Sequence, residues 1–199
     1  TMRNMMAALL NYFSDVDDIA PGDAIIHAAP MSHGSGFYML PHVAHGGLNV
    51  VPESGGFDPV EIYQLLQVHR GVTMFAAPTI VKRLVDHAAA VGLNGEGFKT
   101  IVYGGGPMYQ ADLERAHAVF GYRLAQIYGQ GESPMTITVL PKAVIEDRAH
   151  PRWRERVASV GIPQPMVELS IRDAQNDALP AGTPGEVCVR GEVVMAGYW

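Results

Sequence analysis

Short apolar segments alternate with helix-forming segments between residues 20 and 141, and this alternation constrains the fold more than any other feature. The apolar segments with strand character are residues 24–28, 48–51, 72–76, 100–103 and 123–128. Strand–helix–strand units repeated at this spacing predict a parallel sheet covered by helices. Right-handed crossovers would then bring the loops that follow the strands to one edge of the sheet, where open sheets bind ligands.

Four helices are predicted from periodicity and from end signals. Residues 3–14 carry apolar side chains at helical spacing: Met5, Met6, Leu9, Leu10 and Phe13. Asp58 and Pro59 form a helix start, with Asp58 as the N-cap and Pro59 in the first turn, and Gly71 is expected to end that helix. Thr79 is expected to open the third helix, and the fourth is expected over residues 110–120.

The pattern changes after residue 141. Residues 142–156 are rich in charge and are interpreted as a solvated connector between an α/β subdomain (1–141) and the start of a β-rich subdomain (157–199). Short alternating strands are predicted over 158–161, 167–172 and 185–190 and resemble the opening of a small, distorted barrel. The predicted fold class is α/β, with a parallel sheet flanked by helices and followed by this β-rich part.

Composition excludes several classes of function. The net charge of −6 argues against binding to nucleic acid or to an anionic membrane, which needs clustered Lys and Arg. One cysteine, Cys188, leaves no internal disulfide and no cysteine-based zinc cluster, and it suits a reducing compartment. No stretch approaches the ~20 apolar residues of a membrane span. These features favour a cytoplasmic protein with no nucleic-acid partner.

Two glycine-containing loops follow neighbouring predicted strands. The first, Tyr103-Gly104-Gly105-Gly106-Pro107, would let the backbone approach a flat or charged ligand closely. The second, Tyr128-Gly129-Gln130-Gly131-Glu132, offers an aromatic face for a purine and a carboxylate for Mg²⁺. Taken alone, the first is equally consistent with a tight strand-to-helix turn and the second with a solvent loop. Placed together at one sheet edge, they favour a binding crevice.

A third segment, Pro30 to Tyr38, contains His33, which could serve as an acid–base group, a gate or a packing residue. Its His-Gly-Ser-Gly stretch is similar to a backbone oxyanion loop, which makes a hydrolase an alternative. That chemistry needs a Gly-x-Ser-x-Gly elbow, and the nearest candidate, around Ser133, lacks the final glycine. A nucleotide-binding site is therefore the better interpretation.

Six motifs in order resemble the adenylate-forming superfamily, which includes acyl-CoA synthetases, luciferases and peptide-synthetase adenylation domains. The segments that carry the resemblance are 1–7, 30–36, 103–107, 128–132, 159–163, and 185–191 followed by Gly197-Tyr198-Trp199. The resemblance implies a two-step reaction. A carboxylate attacks the α-phosphate of Mg-ATP to give an acyl-adenylate, and a thiol, usually that of coenzyme A, then displaces AMP.

The resemblance also implies roles for individual residues. It implies that Glu132 is catalytic and binds Mg²⁺, and that His33 is catalytic and borders an acyl pocket. Residues implied to bind nucleotide are Gly104, Gly105, Gly106, Pro107, Tyr128, Gly129, Gln130 and Gly131. Residues implied to line the acyl pocket are His33, Phe37, Tyr38 and Gly105. The implied small molecules are ATP, Mg²⁺, coenzyme A and a fatty or aryl carboxylic acid.

One residue departs from the family pattern. Gly131 stands where the family usually has a threonine whose hydroxyl bonds the adenylate phosphate, so either Ser133 or another donor replaces it or activity is weaker. The family's phosphate loop, ribose-binding aspartate and late catalytic lysine fall outside the 199 residues. We therefore expect a fragment that is inactive alone and whose partners include the rest of its own chain on both sides. A homodimer is allowed.

Three functions stay open at this stage. The first is a carboxylate–CoA ligase. The second is a non-catalytic nucleotide-binding relative, suggested by Gly131. The third is an adenylating enzyme with another acceptor, such as a carrier-protein thiol, or a luciferase-type oxidase.

Overall fold

The computed structural model describes residues 1–199 and contains a seven-stranded mixed sheet flanked by helices, together with a separate two-stranded antiparallel sheet. The strands are β1 (Asp23–Ile26), β2 (Leu48–Val50), β3 (Arg70–Ala76), β4 (Phe98–Tyr103), β5 (Leu124–Gln130), β6 (Ser133–Leu140), β7 (Ile162–Pro163), β8 (Glu168–Arg172) and β9 (Glu186–Arg190). The α-helices are α1 (Met2–Asn11), α2 (Gly34–Phe37), α3 (Met39–Ala44), α4 (Pro59–Val68), α5 (Pro78–Val91), α6 (Gln110–Phe120), α7 (Lys142–Glu146) and α8 (Trp153–Val157). A π-helical turn, Tyr12–Val16, extends α1, and a 3₁₀ turn, Gly121–Arg123, precedes β5.

The five predicted strands form the parallel part of the large sheet. Its order is β2-β1-β3-β4-β5-β6-β7, and every pairing among β1 to β5 is parallel. The predicted α/β fold class is therefore confirmed. Because the strands run the same way, their carboxyl ends lie along one edge of the sheet, which is where the loops of interest begin.

Strand β6 was not predicted, and it makes the sheet mixed. It pairs antiparallel with β5 and with β7, so the chain reverses at Gly131 and Glu132 in a tight hairpin. The sequence carries a signal for this strand, since Thr136, Ile137, Thr138 and Val139 are all β-branched. The glycines of the 128–132 motif favour a loop and obscure this signal.

The core lies on both faces of the sheet. The larger cluster joins strands β1, β3 and β4 to the inner faces of α4, α5 and α6. On α6 the predicted inward residues Leu113, Ala116 and Phe120 are all buried, and Gly121 ends the helix with a positive φ of 62°. The smaller cluster lies on the opposite face and includes Tyr12, Tyr38 and Phe75.

The first helix exposes the apolar stripe that predicted it. Met5, Met6 and Leu10 are 40–52% exposed, and the buried positions of α1 are Ala7, Ala8 and Asn11. Helix α1 ends at Asn11, after which the π-helical turn carries Tyr12 into the core. Periodicity thus located the helix, and most of its stripe of large apolar residues faces away from the core of these 199 residues.

The start of α4 is confirmed and its predicted end is wrong. The Asp58 carboxylate accepts the Val60 N–H at 2.8 Å, and Pro59 occupies the first turn. The helix ends at Val68 with His69 as the C-cap. Gly71 lies two residues into β3, where its positive φ of 54° and its contact with the Asp23 side chain explain the glycine.

Residues 142–156 are more than a solvated connector. Their charged residues are largely at the surface, but α7 and α8 bring Ile145, Trp153 and Val157 into the larger core cluster. Lys142 also forms an ion pair with the nearly buried Asp17 at 3.2 Å, which ties α7 to the amino-terminal helical segment. The subdomain boundaries at 141 and 157 stay a prediction.

The last part of the chain agrees in part with expectation. Strands β8 and β9 form the predicted antiparallel pair, whereas residues 158–161 are not a strand and lead into the short β7. None of the helices combines the length and the apolar character that crossing a lipid bilayer requires.

Candidate active site

The glycine loop after β4 passes closely over the neighbouring strand. A Cβ on Gly104 would lie 2.5 Å from the Ile127 carbonyl oxygen, so only glycine lets β4 leave the sheet here. Gly105 has a φ of 78°, a conformation that favours glycine, and open space surrounds it. The backbone of Gly105, Gly106 and Pro107 is therefore exposed at the carboxyl edge of the sheet.

The second predicted loop is the end of a strand followed by a hairpin turn. Tyr128, Gly129 and Gln130 belong to β5, and Gly131 and Glu132 connect β5 to β6. The Gln130 amide donates a hydrogen bond to the Tyr128 hydroxyl at 3.0 Å. Residues two apart on a strand point to the same face, which agrees with this contact between the Tyr128 and Gln130 side chains.

His33 stands at the N-cap of α2, which is only four residues long, and its side chain is exposed. Its backbone N–H donates to the Pro30 carbonyl at 3.1 Å and forms the turn that leads into the helix. Phe37, at the other end of α2, is partly buried. The third predicted segment thus reaches the same edge of the sheet as the other two.

These three segments surround a cleft of about 450 Å³, which we call the histidine cleft. It is lined by Ser32, His33, Gly34, Phe37, Phe75, Gly105, Ile127, Gly129, Gln130, Gly131, Pro134 and Met135. Six of the predicted site residues line it: His33, Phe37, Gly105, Gly129, Gln130 and Gly131. Its volume and its aromatic and aliphatic residues, Phe37, Phe75, Ile127 and Met135, suit the hydrocarbon part of a small molecule.

A second cleft of about 480 Å³, the tyrosine cleft, adjoins the first. It is lined by Gly105, Gly106, Pro107, Met108, Gln126, Ile127, Tyr128, Gly129, Val157, Ala158, Ser159 and Val160. Gly105, Ile127 and Gly129 line both clefts, so a single ridge of backbone and one isoleucine separate them. Tyr128 presents a partly exposed ring on the tyrosine side, as a planar base would require.

Glu132 lies in the hairpin turn beside the histidine cleft, next to Gly131. One of its carboxylate oxygens accepts the Tyr198 hydroxyl at 2.6 Å, and its carbonyl accepts the Met195 N–H at 2.8 Å. The hydrogen bond from Tyr198 lowers the pKa of the Glu132 carboxyl, which favours the ionised form. The other carboxylate oxygen is left for a cation.

The residues present fit a magnesium ion that is held mainly by its substrate. The chain contains no group of three or more His, Cys, Asp or Glu side chains arranged to hold a metal ion, so protein ligands alone do not form a metal site here. Magnesium often uses one or two carboxylates together with phosphate oxygens and water. The free oxygen of Glu132 matches that arrangement.

Three predicted site residues line neither cleft: Glu132, which lies in the turn beside the histidine cleft, Tyr38 and Gly104. Tyr38 is 4% exposed and packs edge-on against Tyr12 and Phe75, and it borders an internal cavity of about 10 Å³ behind Phe37. Gly104 is buried beneath the loop. Ser133, the suggested replacement for the threonine hydroxyl, is 2% exposed, is paired with the Thr136 hydroxyl at 2.9 Å and lines neither cleft.

The structure adds lining residues that the motifs did not indicate. Val157 to Val160 form one wall of the tyrosine cleft, although the sequence predicts residues 158–161 only as a short strand of the β-rich part. Met135 lines the histidine cleft with a positive φ of 61°, which is uncommon for a side chain of this size. No sequence signal marks Met135, because its position depends on the β5–β6 register shift near Tyr128.

Comparison with known proteins gives a consistent answer. The family model described as AMP-binding enzyme matches residues 1–199. The medium/long-chain-fatty-acid–CoA ligase FadD8 of Mycobacterium tuberculosis is 29% identical over 85% of this chain and 28% of its own length. A feruloyl-CoA synthase of Amycolatopsis is 28% identical over 92% of this chain and 35% of its own.

A solved structure shows the same fold. The amide bond synthetase McbA of Marinactinospora thermotolerans matches with a TM-score of 0.85 and 30% identity over the whole of this chain and 38% of its own. The chain belongs to the AMP-binding enzyme family, which is the adenylate-forming superfamily expected from the motifs. It spans about a third of the length of the relatives it matches.

Proposed function

We propose that the full-length protein activates a fatty or aryl carboxylic acid with Mg-ATP to give an acyl-adenylate and transfers the acyl group to coenzyme A. The observation that carries the proposal is the pair of clefts that share Gly105, Ile127 and Gly129 as a common wall. A reaction that joins an acid to a nucleotide phosphate needs two adjoining sites whose contents meet at one point. The FadD8 ligase and the feruloyl-CoA synthase carry acid–CoA names.

The nucleotide is assigned to the tyrosine cleft. The Tyr128 ring and the exposed backbone of Gly105 and Gly106 form walls for a planar base. The backbone of Gly105 and Gly129 lies at the ridge, where the α-phosphate would face the incoming acid. Pro107 and the 157–160 wall enclose the other side.

The acid is assigned to the histidine cleft. Phe37, Phe75 and Ile127 supply apolar contact area for its carbon skeleton. His33 and Gln130 place polar groups on the same cleft, where they can orient a carboxylate toward the ridge. Gly131 carries no side chain here, so hydrogen bonds to the reacting group must come from neighbouring residues.

Glu132 is assigned to magnesium. When bound, the ion neutralises phosphate charge during the attack on ATP. The turn geometry keeps the carboxylate at the surface, and the Tyr198 hydroxyl orients it. A cytoplasmic location, where ATP and coenzyme A are available and Cys188 stays reduced, completes the proposal.

The test is acid-dependent ATP–pyrophosphate exchange by the full-length enzyme, screened across fatty acids of graded length and aryl acids. We expect exchange with at least one acid and none without acid. Exchange with no acid in either series would reject the proposed reaction and favour the non-catalytic alternative suggested by Gly131.

The acceptor is a separate question, because a structure with this fold is named an amide bond synthetase. Amide formation is therefore the second candidate for the second half-reaction. Pre-formed acyl-adenylate on the full-length enzyme should be offered coenzyme A, a carrier-protein phosphopantetheine thiol or an amine. Release of AMP that depends on coenzyme A supports the thioester assignment, and release only with the carrier-protein thiol or the amine replaces it.

A further inference from the structure

A buried histidine outside both clefts connects two strands to the helix beneath the acid site. His27 follows β1 directly and is 2% exposed. Its Nδ1 lies 2.9 Å from the Ser35 hydroxyl in α2, and its Nε2 lies 3.0 Å from the Asn49 Oδ1 in β2. Both ring nitrogens are therefore used, and the ring joins three elements.

The chemistry of the partners determines the proton arrangement. A carboxamide oxygen can only accept, so the Nε2–H of His27 donates to Asn49 and the bare Nδ1 accepts the Ser35 hydroxyl proton. Neutral imidazole satisfies both partners in this tautomer. Ser35 is fully buried, and this contact is the anchor of its side chain.

Helix α2 needs such an anchor. It contains only four residues, and its N-cap residue His33 makes no side-chain capping bond. A helix of this length has little stability of its own, because forming the first turn costs more than its hydrogen bonds return. Its position therefore depends on contacts with the rest of the fold, of which the Ser35–His27 hydrogen bond is a buried and directional one.

The anchored segment serves only one of the two clefts. Ser32, His33, Gly34 and Phe37 all line the histidine cleft, and no residue of segment 32–37 lines the tyrosine cleft. Any displacement of α2 should change the acid side of the site and leave the nucleotide side in place.

We propose that His27 is a positioning residue that holds α2 in place. Through α2 it keeps His33 and Phe37 where they contact the carboxylic acid. The inference rests on the assignment of the histidine cleft to the acid under the proposed function. The hydrogen bonds between Asn49 and His27 and between His27 and Ser35 fix the short helix relative to the sheet. His27 itself lines neither cleft.

The test compares the full-length enzyme with its His27→Leu and Ser35→Ala variants. Amide hydrogen exchange measured by mass spectrometry should be at least about tenfold faster across residues 31–38 in both variants, since a buried anchoring hydrogen bond is lost. In ATP–pyrophosphate exchange, the KM for the acid should rise about tenfold while the KM for ATP stays within about twofold. His27→Gln, which retains a donor and an acceptor, should recover part of the loss.

Val85→Ala serves as the matched control, because Val85 is buried on α5 and this helix lines neither cleft. This variant should lower thermal stability without a selective change in the KM for the acid.

Unchanged amide hydrogen exchange over residues 31–38 in both His27→Leu and Ser35→Ala would overturn the anchoring role, whether or not the enzyme forms an adenylate. Faster amide hydrogen exchange with an unchanged KM for the acid would overturn the proposal that His27 positions the acid site. An equal rise in the KM for the acid and the KM for ATP would overturn it as well. A wild-type enzyme without ATP–pyrophosphate exchange would instead reject the proposed function and the acid positioning that rests on it. Amide hydrogen exchange would still test whether His27 anchors α2.

Discussion

Individual residues at the sheet edge divide between the two clefts. Gln130 lines the histidine cleft and Tyr128 the tyrosine cleft, although the two side chains are neighbours joined by a 3.0 Å hydrogen bond. The motif was predicted as a single binding loop. Its residues reach the predicted place, but only the β5–β6 hairpin shows which side each one serves.

Glu132→Ala in the full-length enzyme should lower ATP–pyrophosphate exchange by about 100-fold, because the carboxylate that would hold magnesium is lost. Glu96, exposed in the loop before β4, provides the control, and Glu96→Ala should retain wild-type exchange. Wild-type exchange in Glu132→Ala would remove the metal role from this residue.

A pH effect is expected from His42, which is fully buried in α3. Burial lowers the pKa of His42 to about 4 in the folded protein, compared with about 6.5 in an unfolded chain. The unfolded chain therefore binds the proton first, so stability is complete above pH 6.5 and falls as the pH decreases from 6.5 to 4. This histidine alone would contribute up to about 3 kcal/mol to that loss.

The measurement is the apparent melting temperature of the full-length protein between pH 4 and pH 8. His42→Asn keeps a donor for the Tyr38 carbonyl, which the imidazole now serves at 2.8 Å, and it cannot titrate. Its melting temperature should depend less steeply on pH in this window than that of the wild type. Parallel pH profiles would show that His42 is not the group responsible.

At the scale of elements, α8 has a structural and a site role that charge patterning did not predict. Trp153 is 6% exposed, and its Nε1–H donates to the Ile145 carbonyl at 2.8 Å, which locks α8 against α7. The same helix ends at Val157, the first residue of the 157–160 wall of the tyrosine cleft. A segment whose charges predicted a solvated connector thus contributes to the core and to one wall of the tyrosine cleft.

Trp153→Ala should destabilise the protein by about 3–5 kcal/mol, as expected for a large aromatic removed from a core. Because α8 carries the cleft wall, the KM for ATP should rise more than the KM for the acid. Arg154→Ala, at the adjacent exposed position, should change neither the free energy of unfolding nor the KM for ATP. If Trp153→Ala is destabilised but its KM for ATP is unchanged, Trp153 contributes to the core and not to the tyrosine cleft.

At the scale of the whole molecule, the chain matches its family over its full length and covers about a third of each relative described above. The two clefts are open at the surface, and the exposed apolar face of α1, formed by Met2, Met5, Met6 and Leu10, has no partner within these residues. Both features are consistent with a site that further parts of a longer protein complete.

The 199-residue chain alone should therefore form no acyl-adenylate above background. The measurement is hydroxamate formation with ATP, Mg²⁺ and the acid preferred by the full-length enzyme, assayed beside that enzyme as the positive control. Substantial adenylate formation by the 199 residues would show that the motifs expected elsewhere in the family are dispensable here.

The sequence alone determined the family, the five parallel strands and the edge of the sheet at which the candidate site residues gather. These properties follow from local signals: apolar runs, the Asp58-Pro59 helix start, and glycine motifs whose order along the chain is itself informative. Residues 103–107 and 128–132 lie at one edge of the sheet because the carboxyl ends of parallel strands meet there.

Tertiary structure decided what depends on contacts between distant segments. It turned the apolar stripe of α1 outward, paired β6 with β5, buried Tyr38 and Ser133, and brought residues 157–160 to the tyrosine cleft. It also placed His27 between Ser35 and Asn49, which are 8 residues and 22 residues away in sequence. No local pattern encodes such pairs, because a side chain's burial and partners depend on free energies of packing that exist only after the sheet has assembled.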